Sequence, residues 1–201
     1  MIVLDVEGTG LNPKRDSVVS IGALDIDNPT NRFYGECRVW DGAHVHEEAL
    51  AINGFTLEQV HDESKQTERE LVQDFIVWAV RTVEDRTLAA QNVSYDFSFI
   101  ESACDRAKLE FPFAKRTLDV HSLVWMHMVT QGLTPPMEHH HSNISLDVAL
   151  HYCGLPSEQK PHNALTGALA HAEVISRVAY NKLLLPEYST FIIPWNPKPI
   201  S

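Results

Sequence analysis

Met1-Ile-Val-Leu-Asp5-Val-Glu7-Gly-Thr9-Gly10 opens the chain, and the rest of the sequence is read around it. Ile2, Val3 and Leu4 form an apolar run suited to a strand buried on both faces. Side chains alternate along a strand, so the carboxylates of Asp5 and Glu7 point the same way. Two like charges at a buried strand end are costly unless a cation or an opposite charge compensates them. Gly8-Thr9-Gly10 turns the chain and leaves both carboxylates at the strand's end. Hard oxygen donors of this kind suit Mg²⁺ or Mn²⁺. A solvated strand end followed by an ordinary turn accounts for the same ten residues equally well, so the decision rests on what lies downstream.

A chain of 201 residues with 44% hydrophobic and 21% charged residues fits one soluble domain with a real core. No apolar run approaches the ~18 residues needed to span a bilayer, so no membrane association is expected. The chain enters its first strand at once, which predicts no signal peptide. Cys37, Cys104 and Cys153 are widely spaced and odd in number, against a disulfide framework. Together these predict a cytoplasmic protein. Sixteen Lys and Arg against 27 Asp and Glu give a net charge of −11. A protein gripping long duplexes through phosphates carries a basic excess, so any nucleic-acid contact here is local, at a strand end, and bridged by cations.

Residues 17–26 and 32–40 read as the second and third strands, separated from each other and from the first by short turns, which predicts an antiparallel meander. Thr56 and Thr67 read as N-caps, the second opening a helix over 68–83. A brief strand at 87–90 is followed by a turn over 92–96 and a helix over 97–108. A further strand at 117–120 leads to a helix over 121–130, a polar loop over 131–143, a helix over 144–152 and a last helix over 163–184. Alternating elements after a meander predict an α/β domain with a mixed sheet flanked by helices. The domain is expected to occupy residues 1–185. The proline-rich residues 186–201 are expected to form an extended or loosely packed tail.

Two further stretches carry chemistry. Asp96, in Asn92-Val-Ser-Tyr95-Asp96, opens a helix, where capping and the macrodipole also favour an acid. His162, in His162-Asn-Ala-Leu, precedes the last helix. His139-His140-His141 is a consecutive run whose imidazoles cannot easily converge on one ion, and it reads as a polar loop.

Asp5-Val-Glu7-Gly-Thr9-Gly10-Leu11, Asn92-Val-Ser-Tyr95-Asp96 and His162-Asn-Ala-Leu, in that order, resemble the three motifs of the DEDDh 3′–5′ exonuclease family. Ile52-Asn53-Gly-Phe55-Thr56 and Leu118-Asp119 are weaker matches, and the likeness covers about residues 1 to 182. The resemblance implies a ribonuclease H-like mixed sheet and two divalent cations, Mg²⁺ or Mn²⁺. Asp5 would bridge the cations, with Glu7 and Asp96 each holding one. An imidazole with its ordinary pKa of ~6.5 suits the base that deprotonates the attacking water, which is the role implied for His162. The substrate implied is a single-stranded DNA or RNA 3′ end, hydrolysed to 5′-mononucleotides. Gly8 and Thr9 would hold the terminal 3′-OH and Leu11 would wedge against the terminal bases. Ile52, Asn53, Phe55 and Tyr95 would line the base pocket, although Leu11, Ile52 and Phe55 read equally as packing residues.

One position departs from the pattern. The family places an Asp five residues after its His, and here that residue is Gly167. Gly in a helix interior costs about 1 kcal/mol relative to Ala, and nothing local explains it. With the other ligands and His162 present, a disarming substitution accounts for Gly167 better than a natural loss, and activity should be strongly reduced or absent. Thr166, His171, Asp147 and Asp119 are not expected to replace the missing acid. A non-catalytic nucleic-acid-binding or scaffold protein, and a phosphodiesterase for small nucleotides, are the alternatives.

Overall fold

The protein is described by a computed structural model covering residues 1–196. In chain order its elements are β1 (Ile2–Gly8), β2 (Val18–Asp25), β3 (Asn28–Glu36), α1 (Glu47–Asn53), α2 (Leu57–Val60), α3 (Glu68–Thr82) and β4 (Leu88–Ala90). Then follow α4 (Val93–Ala107), β5 (Leu118–Asp119), α5 (Val120–Thr130), β6 (Met137–Glu138), β7 (His141–Ser142), α6 (Leu146–Tyr152) and α7 (Ala164–Tyr180).

Five strands form one sheet in the order β3-β2-β1-β4-β5. The meander β1–β3 is antiparallel, and β4 and β5 join parallel to β1. The expected mixed sheet is therefore present, with β1 at its centre. Alternation along β1 divides the core in two. Ile2, Leu4 and Val6 pack with Phe75 of α3 and Phe99 of α4. Val3 packs with the buried residues of α5, α6 and α7 on the opposite face. Asp5 and Glu7 share the parity of Val3, so they lie on the face that α7 covers.

Some boundaries differ from the sequence reading for identifiable reasons. The third strand runs over 28–36 and not 32–40, because β3 is an edge strand and tolerates Pro29. The helix expected at 97 begins at Val93: Asn92 takes a left-handed conformation (φ 55°), and Asp119, from β5, accepts the Val93 N–H at 3.0 Å. Asp96 thus sits inside a first turn and not ahead of one. The last helix ends at Tyr180, where Asn181 adopts the left-handed cap. The loop over 131–143 contains the small hairpin β6–β7, and His139 and His140 form its turn.

The tail is not loose over its described part. Arg177, fully buried, pairs with Glu173 at 2.8 Å and donates to the carbonyls of Cys153 (2.8 Å) and Phe191 (2.9 Å). Glu173 accepts from the Leu184 and Leu185 N–H groups. Phe191 and Trp195 pack on the core that α7 lines. The expectation of an extended segment from 186 therefore fails for 186–196, because a buried arginine needs the carbonyls that this segment supplies. Residues 197–201 lie outside the described residues.

One glycine seats α7. Gly22 of β2 pairs with Asp5 on one side and Tyr34 on the other. A Cβ at position 22 would overlap the Ala164 backbone and the Leu165 nitrogen. The start of α7 therefore rests on bare backbone beside Asp5. Asn163 caps that start through the Leu165 and Thr166 N–H groups, and its amide donates to the Tyr34 hydroxyl at 3.0 Å. Gly22→Ala should lift this helix end. We expect a loss of about 1–3 kcal/mol, the usual cost of overpacking, read as a lower urea midpoint. An unchanged midpoint would show that α7 does not depend on this contact.

Candidate active site

Asp5 and Glu7 project from the end of β1, and α4 brings Asp96 to them. The Val6 N–H donates to Asp96 Oδ1 at 2.9 Å. This bond pins the α4 carboxylate between the two β1 acids, 90 residues away in sequence. Asp96 is buried and Glu7 nearly so.

Burial, then Asp96, Glu7 and Glu158, push the Asp5 carboxyl well above its ordinary range. Burial likewise raises Asp96, while its backbone bonds oppose the shift. Burial, then the charge of Glu158, raises Glu7 from 4.5 to about 7. A set of mutually repelling, half-dehydrated carboxylates is an arrangement that a divalent cation would relieve.

Glu158 is the residue that sequence reading missed. It lies in the loop between α6 and α7, where its N–H donates to Asp147 at 3.3 Å. Its Oε1 is buried without a hydrogen-bond partner, and its Oε2 lies 3.7 Å from His162 Nδ1. The only local signal was the spacing of Glu158 four residues before His162, outside any motif. His162 itself is partly exposed, and its N–H donates to Ile52 O at 3.0 Å, which ties the loop to α1.

Position 167 faces Asp5 directly. A Cβ there would overlap the Asp5 carboxylate, which fills the space a side chain would take. Among the other residues weighed as substitutes, His171 is buried and held by Leu4 O at 3.0 Å, with burial lowering its pKa to about 4. Asp119 caps α4 and Asp147 holds the Glu158 loop. These three have structural employment.

The residues expected to meet substrate divide sharply. Leu11 and Ile52 are 87% and 55% exposed and line a groove of about 430 Å³ together with Gly10, His44, His46 and Ala49. The others are spent internally. Thr9 is fully buried: its N–H donates to Ser17 O, its carbonyl accepts from His46, and its hydroxyl donates to His44 O at 2.6 Å. Thr9 therefore has no free donor for a terminal 3′-OH and could meet it only as an acceptor, through the second lone pair of its carbonyl. Asn53 donates to Gly8 O at 3.2 Å and accepts from Phe55 N. Tyr95 donates to Gly10 O at 3.0 Å and packs on Phe99. Both shape the turn after β1 through these bonds. Phe55 lies under Lys65, 4.9 Å from the ring centre. Gly8 abuts Tyr95 and Phe99.

The sequence model of the family described as Exonuclease (RNase T) matches residues 2–175. The chain belongs to the Exonuclease family. Ribonuclease T from Vibrio vulnificus (strain CMCP6) is 28% identical over 129 residues, which cover 56% of this chain and 59% of that protein. The DNA polymerase III PolC-type protein of Thermotoga maritima is 27% identical over 99 residues, covering 49% of this chain and 7% of that one. The chain thus spans about three-fifths or less of these relatives' lengths. Among solved structures, the nuclease domain of 3′hExo, a DEDDh family member bound to rAMP, superposes with a TM-score of 0.68 at 17% identity over 92% of this chain and 93% of that one. E. coli Exonuclease I in complex with an oligonucleotide gives 0.70 at 15% identity, over 90% of this chain and 40% of that one. The family's fold is ribonuclease H-like, and so is this one. Among the described residues no helix is long and apolar enough to cross a membrane.

The raised carboxyls make a prediction about stability. A carboxyl raised from 4.5 to about 7 is more readily protonated in the folded state, so its contribution is full below 4.5 and is lost as pH rises through 7. Glu7→Gln removes this loss. Between about pH 5 and pH 8 in EDTA, the wild type should therefore lose on the order of 2–3 kcal/mol relative to Glu7→Gln. Parallel pH profiles in urea unfolding would contradict the buried, repelling site.

Proposed function

We propose that this protein is a divalent-cation-dependent 3′–5′ exonuclease that hydrolyses single-stranded DNA or RNA ends to 5′-mononucleotides. The observation that carries the reading is the bond from Val6 N–H to Asp96, which sets a third acid beside Asp5 and Glu7. Asp5, Glu7 and Asp96 would hold two cations, Mg²⁺ or Mn²⁺, and their all-oxygen donor set fits those ions. Bound cations would generate a nucleophilic water and neutralise charge on the leaving 3′ oxygen. His162 accepts the proton of the attacking water, its Nε2 left free because Glu158 stands against Nδ1. Leu11 and Ile52 offer an apolar wall to the terminal base.

Gly167 weakens this site, since position 167 contributes no oxygen. Glu158 partly makes up the deficit. It brings a fourth carboxylate whose charge is felt at both Asp5 and Glu7, and it keeps one buried oxygen unpartnered. Restoring the acid at 167 requires the Asp5 carboxylate to rotate out of the space it fills and the Asp5 Cβ, 3.2 Å from the new Cβ, to give slightly.

End-labelled DNA and RNA oligonucleotides with Mg²⁺ or Mn²⁺ test the reading. The wild type should shorten them slowly from the 3′ end, and Asp5→Asn should abolish this. Gly167→Asp should raise the rate by about tenfold or more. Glu158→Gln should cost the wild type roughly 10–100-fold, the scale of lost metal-site support, but far less in the Gly167→Asp background. Intact 3′ ends with both the wild type and Gly167→Asp, despite oligonucleotide binding, would establish a non-catalytic binder. Cleavage confined to dinucleotides would establish a small-nucleotide phosphodiesterase.

A further inference from the structure

Asp16, His44 and His46 converge beside the groove that Leu11 and Ile52 line, outside the acidic site. The segment His44-Val45-His46 runs extended alongside residues 9 and 15–17: His44 N–H donates to Arg15 O at 2.8 Å and His46 N–H to Thr9 O at 2.9 Å. Extended backbone turns residues i and i+2 to one side, so both imidazoles face Asp16. One ligand atom from each of the three residues lies within 4.8 Å of the others.

Asp16 carries an unsatisfied atom at this point. It is 1% exposed; Oδ2 accepts the Asn12 N–H at 2.8 Å, but Oδ1 is buried with no hydrogen-bond partner. A buried carboxylate oxygen left unpaired is expensive. The atom nearest to satisfying it is His46 Nε2 at 3.4 Å. Donors about 2 Å from a tetrahedral Zn²⁺ stand about 3.3 Å apart, so this pair already has ligand spacing. His44 and His46 are exposed and free to close the remaining gap.

We propose that Asp16, His44 and His46 form a transition-metal site that binds Zn²⁺, separate from the Asp5–Glu7–Asp96 centre. Two imidazole nitrogens with one carboxylate suit a borderline ion and not Mg²⁺, which prefers oxygen alone. Three protein ligands leave a fourth position for water or an anionic group entering the groove. One neighbour opposes the site: the Arg15 guanidinium lies 3.0 Å from His44 Nδ1 and 3.4 Å from Nε2. Its side chain is exposed and must swing clear, so it weakens binding without blocking it.

Metal-stripped protein titrated with Zn²⁺, and with Co²⁺ read by its visible bands, tests the site. Beside any uptake by the acidic centre, the wild type should take up one equivalent that carries the intense bands of a four-coordinate nitrogen-containing site. Changes behind a ligand already cost about 10–100-fold in affinity, so His44→Ala and His46→Ala should each cost more, with circular dichroism unchanged. Arg15→Ala should tighten this nitrogen-ligand binding, while Asp5→Asn and His139→Ala/His141→Ala should leave the four-coordinate Co²⁺ bands as they were. Absence of a visible Co²⁺ spectrum in the wild type would overturn the proposal. So would four-coordinate bands that survive His46→Ala or that follow Asp5 or the exposed 139–141 turn.

Discussion

The hydrogen bond from the Val6 N–H to Asp96 Oδ1, helped by Asp96's own backbone N–H, holds the candidate site against its own electrostatics. Three acids with depleted hydration repel one another, and each is pushed toward its neutral form by burial and by its neighbours. The peptide N–H stabilises a charged Asp96 at the place where charge is least welcome. It can do so because the parallel pairing of β1 with β4 sets the start of α4 at the carboxyl end of β1. Asp119, arriving on β5, then caps α4 from outside. Strand order, helix start and carboxylate position are therefore one constraint seen at three levels.

The same economy governs the other side of the sheet. Gly22 lets the α7 backbone rest on β2 beside Asp5, and Asn163 ties that contact to Tyr34 on the next strand. At its far end α7 is fixed by Arg177, whose donors satisfy carbonyls of the chain that returns after Leu185. A buried arginine without those carbonyls would be strongly destabilising. The length of α7, its seat and the folded-back tail thus stabilise one another.

Period-two alternation in Ile2–Gly8, turns around 12–16, and the N-caps at Thr56 and Thr67 are local signals, and local physics made the meander and α3 legible. Both Thr caps form full capping boxes. What the sequence could not show depends on partners far along the chain. Asp119 moved the start of α4 by four residues relative to the sequence reading, and Arg177 folded back a segment whose prolines suggested a loose one. At the site, type and order of residues revealed the acids, but not that Thr9, Asn53 and Tyr95 have their polar groups consumed by the turn they shape. Motif matching assigns a position; hydrogen-bond accounting decides whether that position has anything left to offer.

Gly167 illustrates the same distinction in charge. Counted by position, Gly167 stands where the motif resemblance implies an acid. A cation responds to which oxygens lie within reach, whatever element delivers them. Asp5 occupies the space that a side chain at 167 would fill, and Glu158 brings an unpaired buried oxygen from a loop that no motif includes. The loop that carries Glu158 also carries His162 and is tethered to α1 through Ile52. A carboxylate on that loop therefore ties the acidic site to the groove wall, a connection that an acid fixed on the first turn of α7 would not make.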